Sequence, residues 1–507
     1  MARTAAAPRV DPEDKRQLGV SRPPLTLADL PSPEEVFGVK QMRLKELIKF
    51  AVGPSLIALG ISIGSGEFLL GPQAVGTFGF VGVGWVITVS AILQTFYNIE
   101  ISRYVVATGE VPVLGFARVP PGRLLWVPFS ILTLYFAFIF GGWAASAGAG
   151  VFALFNGRVA EADDLGTVRL FAIGLLFLVF VITVMAKKVS RGLELTNWFL
   201  VGSILIALLV LDLLIVPFSV WWEGIRGLLT PAAPPEGITA TQLGGLAGFT
   251  ALSSGLNWYV MCHYRDKGYG MGHRVGFISG MRGERSELLA TGFTFPDDDK
   301  NSAMWRRWYR LLKIDMWGVF FGGAMLGMLL PTILMAHMVA VTGEQPTDEN
   351  IPTFVADKLG DQYGSPVFYI TLLLGVFILF STQLGIFEAL VRNFTDSANG
   401  VSPKLRALID DDPRKFYYPF MLVVLVIVAI ALHLALPVEL VSISANMSNF
   451  GSLSFPFMLI YLNRRLPKAA RPGPLHYVAL MAGTVFFGFF FINFAYEFIT
   501  GSALVKF

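Results

Sequence analysis

Two short polar stretches interrupt a chain that is 54% hydrophobic and only 15% charged. GISIGSGEF, residues 60–68, places Gly60, Ser62, Gly64, Ser65, Gly66 and Glu67 inside an apolar run, and ALSSGLN, residues 251–257, places Ser253, Ser254, Gly255 and Asn257 inside another. A carboxylate at mid-membrane depth costs about 2.5–3.5 kcal/mol even on the lenient insertion scale, so Glu67 must face protein, water or a ligand. Glycine and serine at the same depth favour a break in the helix, which frees backbone amides and carbonyls. The chemistry on offer is binding rather than bond making. Glu67 can hold a cation or carry a proton. Ser65, Ser254 and Asn257 offer neutral oxygens, and the amides of Ser65, Gly66 and Glu67 can act as a helix N-terminus for an anion. Paired breaks near the bilayer midplane are how secondary transporters build substrate sites, which puts Gly64, Ser65, Gly66, Glu67, Ser253, Ser254 and Asn257 at one.

The elements that must position these residues are membrane helices. The mean hydropathy is +0.61, and apolar runs of about 20 residues, each able to cross a bilayer, recur to the C-terminal end. The alternation of a β-barrel is missing. Eleven spans are predicted, near 46–74, 80–105, 124–155, 168–186, 195–217, 243–264, 312–341, 366–392, 416–436, 438–463 and 474–500. Only Pro437 and Glu439 mark the break between the ninth and tenth. The expected class is an all-α polytopic membrane protein, with a disordered cytosolic tail over 1–42 and a transporter domain over 43–507. Within it, 46–217 and 243–463 form two repeats, 474–500 an eleventh helix, and 265–312 a long cytosolic loop.

Charge supports that count. Arg103, Arg118 and Arg123, then Lys187, Lys188 and Arg191, then the basic stretch from 265 to 313, lie in alternate connections. Asp163, Asp164, Glu344 and Asp348 lie in the others. By the positive-inside rule the N-terminus is cytoplasmic and the C-terminus outside, in the inner or plasma membrane. Trp305, Trp308 and Tyr309, among Arg306, Arg307 and Arg310, predict an amphipathic helix at the headgroups. The glycines of GYGMGHRVG, 268–276, have neither a preceding strand nor a following lysine, so they make no phosphate loop. The single cysteine, Cys262, excludes an internal disulfide. No cofactor and no nucleic-acid partner is expected. The partners are the bilayer and a small solute or metal ion.

Other ionisable residues in the spans have structural readings. Glu100 with Arg103, and Glu388 with Arg392, are spaced as ion pairs on one helix face. Asp212 and Asp315 stand near span ends, where they are expected to reach the interface. Gln383 in span eight is a better binding candidate, because its amide would be costly against lipid.

GPSLIALGISIGSGEF followed by FGF resembles the first span of the Nramp (natural resistance-associated macrophage protein) metal transporters, which runs GPG, DPGN, FGY. Gln94 with TGE at 108–110, SRGLE at 190–194, and the run STQLGIFEALV of span eight continue the likeness. The resemblance implies a LeuT-type fold, five plus five inverted spans with an eleventh added and helices 1 and 6 broken. This chain departs from the family at its metal motifs. Gly64, Ser65, Gly66 and Glu67 stand in place of DPGN, and Ser254, Gly255, Leu256 and Asn257 in place of MPHN. With thioether and imidazole gone, the ligands at the breaks are oxygens of Glu67, Ser254 and Asn257, which suit magnesium or manganese better than iron or zinc. Glu67 is also the candidate for proton coupling. IGSG followed by an aromatic is similar, in turn, to the broken first helix of amino-acid/polyamine/organocation transporters, which implies a carboxylate- or amine-bearing organic solute instead, with Trp258 and Tyr259 as candidate walls. A non-transporting receptor or scaffold on the same fold is the third reading, and none of the three is an enzyme.

Overall fold

Lipid offers no partner to a backbone N–H or C=O, so a spanning segment must pair its own, and the chain does so with helices. The computed structural model describes residues 28–42, 46, 54–185, 189–252, 255–276, 292–347, 350–410 and 412–507. Six helices there are long and apolar enough to cross a membrane alone: Arg123–Asn156, Ala162–Met185, Asp299–Thr342, Ser365–Val401, Arg414–Ala431 and Pro474–Thr500. Ser55–Ser62 and Gly66–Phe78, bent by 41°, make a seventh. Gly84–Thr108 and Pro437–Asn463 fall short on apolarity because they are buried by other helices and carry polar residues such as Gln94, Asn98, Asn446 and Asn449. With Val189–Ile215 and the split pair Ala240–Phe249 and Leu256–Asp266, the described helices fill the eleven expected positions. Pro437 does separate the ninth from the tenth.

Span eight, Ser365–Val401, is central. It packs against spans one, three, five, six and nine, and its middle, Ser381–Val391, is buried on all sides. Span three carries a joint of its own, where Arg123–Phe138 meets Gly142–Asn156 through Gly141 at φ 69°. Two connecting helices went unforeseen, Phe218–Leu229 and Ile351–Tyr363. Residues 505–507 pair with 237–240 by backbone hydrogen bonds, including Ala240 N–H to Val505 O at 3.0 Å, which ties the C-terminal end to the start of span six.

Three expectations need correction. Residues 28–42 were placed in the disordered tail, yet they are ordered and dock on the helix that begins at Asp299. The Leu30 N–H donates to Asn301 Oδ1 at 2.8 Å, Trp308 Nε1 donates to the Pro31 carbonyl at 2.7 Å, and Asp29 pairs with Lys300. The hydrogen bond from Lys300 holds the Asp29 carboxyl below its ordinary range. Trp308 is therefore buried against this segment, and Trp305 is buried against Phe295 and Tyr309, rather than set at headgroups, and the helix runs on into span seven. Asp212 and Asp315 are also buried rather than interfacial. Asp315 accepts a hydrogen bond from the Tyr264 hydroxyl. The pair Glu100–Arg103 does form, at 2.9 Å.

Asn301 is fully buried and bonds at both ends of its amide, to Leu30 and to Asp298. Asn301→Ala is expected to lower stability by about 1–3 kcal/mol and to speed protease cleavage within 28–42. A melting curve and cleavage rate equal to wild type would refute the docking role.

Candidate functional site

The polar stretch of span one is wound rather than unwound. Between Pro54–Ser62 and Gly71–Phe78, residues Ile63–Leu70 form a π-helix, with the Gly71 N–H returning to the Gly66 carbonyl. At this wide turn a side chain from span eight joins the backbone ladder. The Gly64 N–H donates to Thr382 Oγ1 at 3.0 Å, and that hydroxyl donates to the Gly60 carbonyl at 3.1 Å. Ser381 Oγ donates to the same carbonyl, also at 3.1 Å. A hydroxyl inserted into the ladder is a recognised cause of a helix bend. The carbonyl expected to be freed for a ligand is therefore occupied, and the amides of Ser65, Gly66 and Glu67 lie within a wound turn rather than at an open helix N-terminus.

Span six is interrupted as expected. Ala240–Phe249 ends, Ala251 adopts φ 70°, and Leu256–Asp266 starts after Gly255 at φ 96°. The left-handed region costs an alanine about 1–2 kcal/mol. Glu67 supports it, because its Oε1 accepts the Ala251 N–H at 3.1 Å. The two stretches touch backbone to backbone, since a Cβ at Gly66 would run into the Phe249 carbonyl. Glu67 is wholly buried, near Gly327 of span seven, and its Oε2 has no hydrogen-bond partner.

The other candidates divide. Gln383 Oε1 accepts the Ala144 N–H at 3.2 Å, at the start of the second half of span three, while its Nε2 has no partner. Asn257 turns to span two, where its Nδ2 donates to Gln94 Oε1 at 2.6 Å and to Asn98 Oδ1 at 2.7 Å. Ser253 and Ser254, and the side chain of Ser65, lie outside the described residues. Trp258 packs on Phe455 at 4.3 Å and Phe116 at 5.4 Å, and with Tyr259 it lines only a small recess beside Val111 and Asn393. The aromatic wall at the break comes instead from Phe138, Trp143 and Phe249, whose ring centroids lie 5.6–6.0 Å apart. Sequence reasoning passed over Ser381, Thr382 and Trp143. The pair of hydroxyls before Gln383 was the available signal for the first two.

On one side of Glu67 a cavity of about 560 Å³ opens between spans one, six, ten and eleven, and Leu70, three residues along, lies in its wall. On the other side spans six and eight are tied together. Arg392 pairs with Asp266, and Arg265 Nη2 lies 3.3 Å from Asp396. Arg392 also lies 3.6 Å from Glu388, so the expected pair belongs to a wider buried network.

No known family profile and no curated protein matches this chain. Solved structures do. Two mutant structures of the Eremococcus coleocola manganese transporter superpose with TM-scores of 0.62 and 0.59, at 14% and 15% identity, over 96% of this chain and 92% of theirs. MhsT in complex with L-phenylalanine gives 0.50 at 14% identity, over 87% of this chain and 97% of that one. The chain is thus an integral membrane protein with the LeuT-type fold, the fold it shares with these structures.

Thr382→Val keeps the shape and removes the bridging hydroxyl, leaving the Gly64 N–H without this partner while the Gly60 carbonyl keeps its bond from Ser381. We expect a loss of about 1–3 kcal/mol, and near-wild-type melting for Thr382→Ser. Equal melting of the valine and serine variants would rule the bridge out.

Proposed function

We propose that this protein is a secondary-active transporter whose substrate is a hard divalent cation, magnesium or manganese, bound at Glu67 with much of its water retained. The observation that carries this reading is the Glu67 carboxylate itself, buried between the two breaks with one oxygen engaged by Ala251 and the other unpartnered. A buried carboxylate without a counter-charge is unstable, so this one calls for a cation or a proton. The close approach of Gly66 to Phe249 and of Gly327 to Glu67 favours something small. Among the described residues no cluster of three acidic, histidine or cysteine side chains could strip an ion of its shell. Neutral amides such as Gln383 suit bound water instead. An open vestibule at one end and ion pairs at the other are what alternating access asks of one of its states. The charge pattern puts the vestibule outside. Proton symport through Glu67 is part of this proposal.

One observation favours a second substrate. Phe138, Trp143 and Phe249 stack beside the break, and aromatic faces attract organic ammonium groups. An amine-bearing solute would then pair with Glu67.

Uptake into proteoliposomes separates the readings. Glu67→Gln keeps an acceptor for Ala251 and removes the charge, so manganese uptake is expected to fall at least tenfold while the fold survives. Wild-type manganese uptake by the variant would sink the site, and uptake of an amine with none of manganese would establish the second substrate. Uptake indifferent to an imposed pH gradient would remove proton coupling. A chain that moves no solute at all would be a receptor or scaffold.

A further inference from the structure

The ordered part of the N-terminal segment bridges two elements at the cytosolic side. Pro33–Phe37 form one helical turn, opened by Ser32, whose Oγ accepts the Glu35 N–H at 3.2 Å, and closed by Gly38 at φ 64°. A turn this short does not hold by itself in water, so its order comes from what it rests on. One flank rests on the helix that leads into span seven, through the bonds of Leu30 to Asn301 and of Trp308 to Pro31 and the ion pair of Glu34 with Arg307. The other flank rests on the chain just past the inner end of span six. There Arg274 Nη2 donates to the Asp29 carbonyl at 2.9 Å. The Phe37 ring sits between the two flanks, its centroid 5.4 Å from that of Tyr269 and 5.7 Å from that of Trp308. Tyr269 and Trp308 meet at 5.1 Å, and Tyr269 meets Tyr264, in the last turn of span six, at 4.9 Å. Tyr264 in turn donates its hydroxyl to Asp315 of span seven.

We propose that residues 28–38 are an inner latch, which fastens the inner half of span six to span seven while it is docked and must lift before the cytosolic side can open. Span six is interrupted between Ala251 and Gly255, so Leu256–Asp266 is a separate rigid piece. Alternating access moves such half-helices against their neighbours. The pairs Arg392–Asp266 and Arg265–Asp396 hold this piece from the side of span eight, and the latch holds it from the side of span seven. Its contacts are of a kind that can release. The ion pair of Glu34 with Arg307 is partly exposed, hence weak, and each ring contact contributes little alone. The latch therefore biases the two states rather than locking one. It rests on the transporter reading, since it needs a cycle to act on, but on no choice of substrate.

The chain supplies its own reporter. Cys262, its one cysteine, is buried on the inner half of span six, in a recess beside Asn393 and Asp396. Alkylation of the purified full-length protein by a maleimide therefore reads inner opening. Phe37→Ala should speed labelling about tenfold, the scale of two lost ring contacts. Glu34→Arg and Arg307→Glu should each speed it as well, and the two together should return it toward the wild-type rate, because the swap rebuilds the pair. Unfolding also exposes Cys262, so a second position separates the two causes. In Cys262→Ser, a cysteine placed by Ser442→Cys in the wall of the outer vestibule should label more slowly once Phe37→Ala is added, since opening inside closes the outside. Unchanged labelling of Cys262 in Phe37→Ala, or faster labelling at both positions, overturns the latch. Reciprocal labelling in a protein that moves neither manganese nor an amine keeps the latch, on a switching receptor, and removes the transporter reading.

Discussion

Everything around the candidate site depends on one requirement, that each backbone amide and carbonyl at mid-membrane finds a partner. Where span one winds wide, the Thr382 hydroxyl enters its ladder, accepting from the Gly64 N–H and donating to the Gly60 carbonyl. A hydroxyl inserted in this way accompanies a bend in span one and ties span eight to it. Glu67, three residues on from Gly64, reaches the break in span six. The strained Ala251 is then held by the carboxylate, so the two interruptions support one another rather than each being an isolated defect.

The same logic explains why Glu67 is at once structural and available. One oxygen is spent on the fold and one is unpartnered. An open oxygen alone does not mark a binding carboxylate, since Asp212 is wholly buried with neither oxygen partnered. Other carboxylates in the spans are tied to counter-charges. Glu100 is closed off by Arg103 at 2.9 Å, His476 at 2.8 Å and Asn463 at 2.8 Å. Asp266 lies among arginines. What sets Glu67 apart is its place between the two interruptions, with its Oε1 on the Ala251 N–H.

Much of this was legible in the residues. Length of apolar run, charge sidedness and the two glycine- and serine-bearing stretches were enough for eleven spans, paired irregularities in spans one and six, and Glu67 as the group to watch. The N-terminal segment was misread because its prolines and mixed charge look disordered, while Leu30 and Pro31 hold it down through contacts almost 300 residues away in sequence. Trp305 and Trp308 carried the composition of an interfacial belt, and composition does not reveal that another segment of the chain covers them.

Asn257 shows where sequence reasoning ends. Its spacing placed it beside Glu67, but a helix that starts at Leu256 turns it toward Gln94 and Asn98 of span two. By itself the sequence determined the solvent and the number of crossings, because hydrophobic run length and charge act locally along the chain, but it put Asp212 and Asp315 at the interface when they are buried. Only the tertiary structure decided which polar atoms meet, which are used up and which are left over. Hydrogen bonds saturate, and whether a partner is taken depends on helices that are distant in sequence.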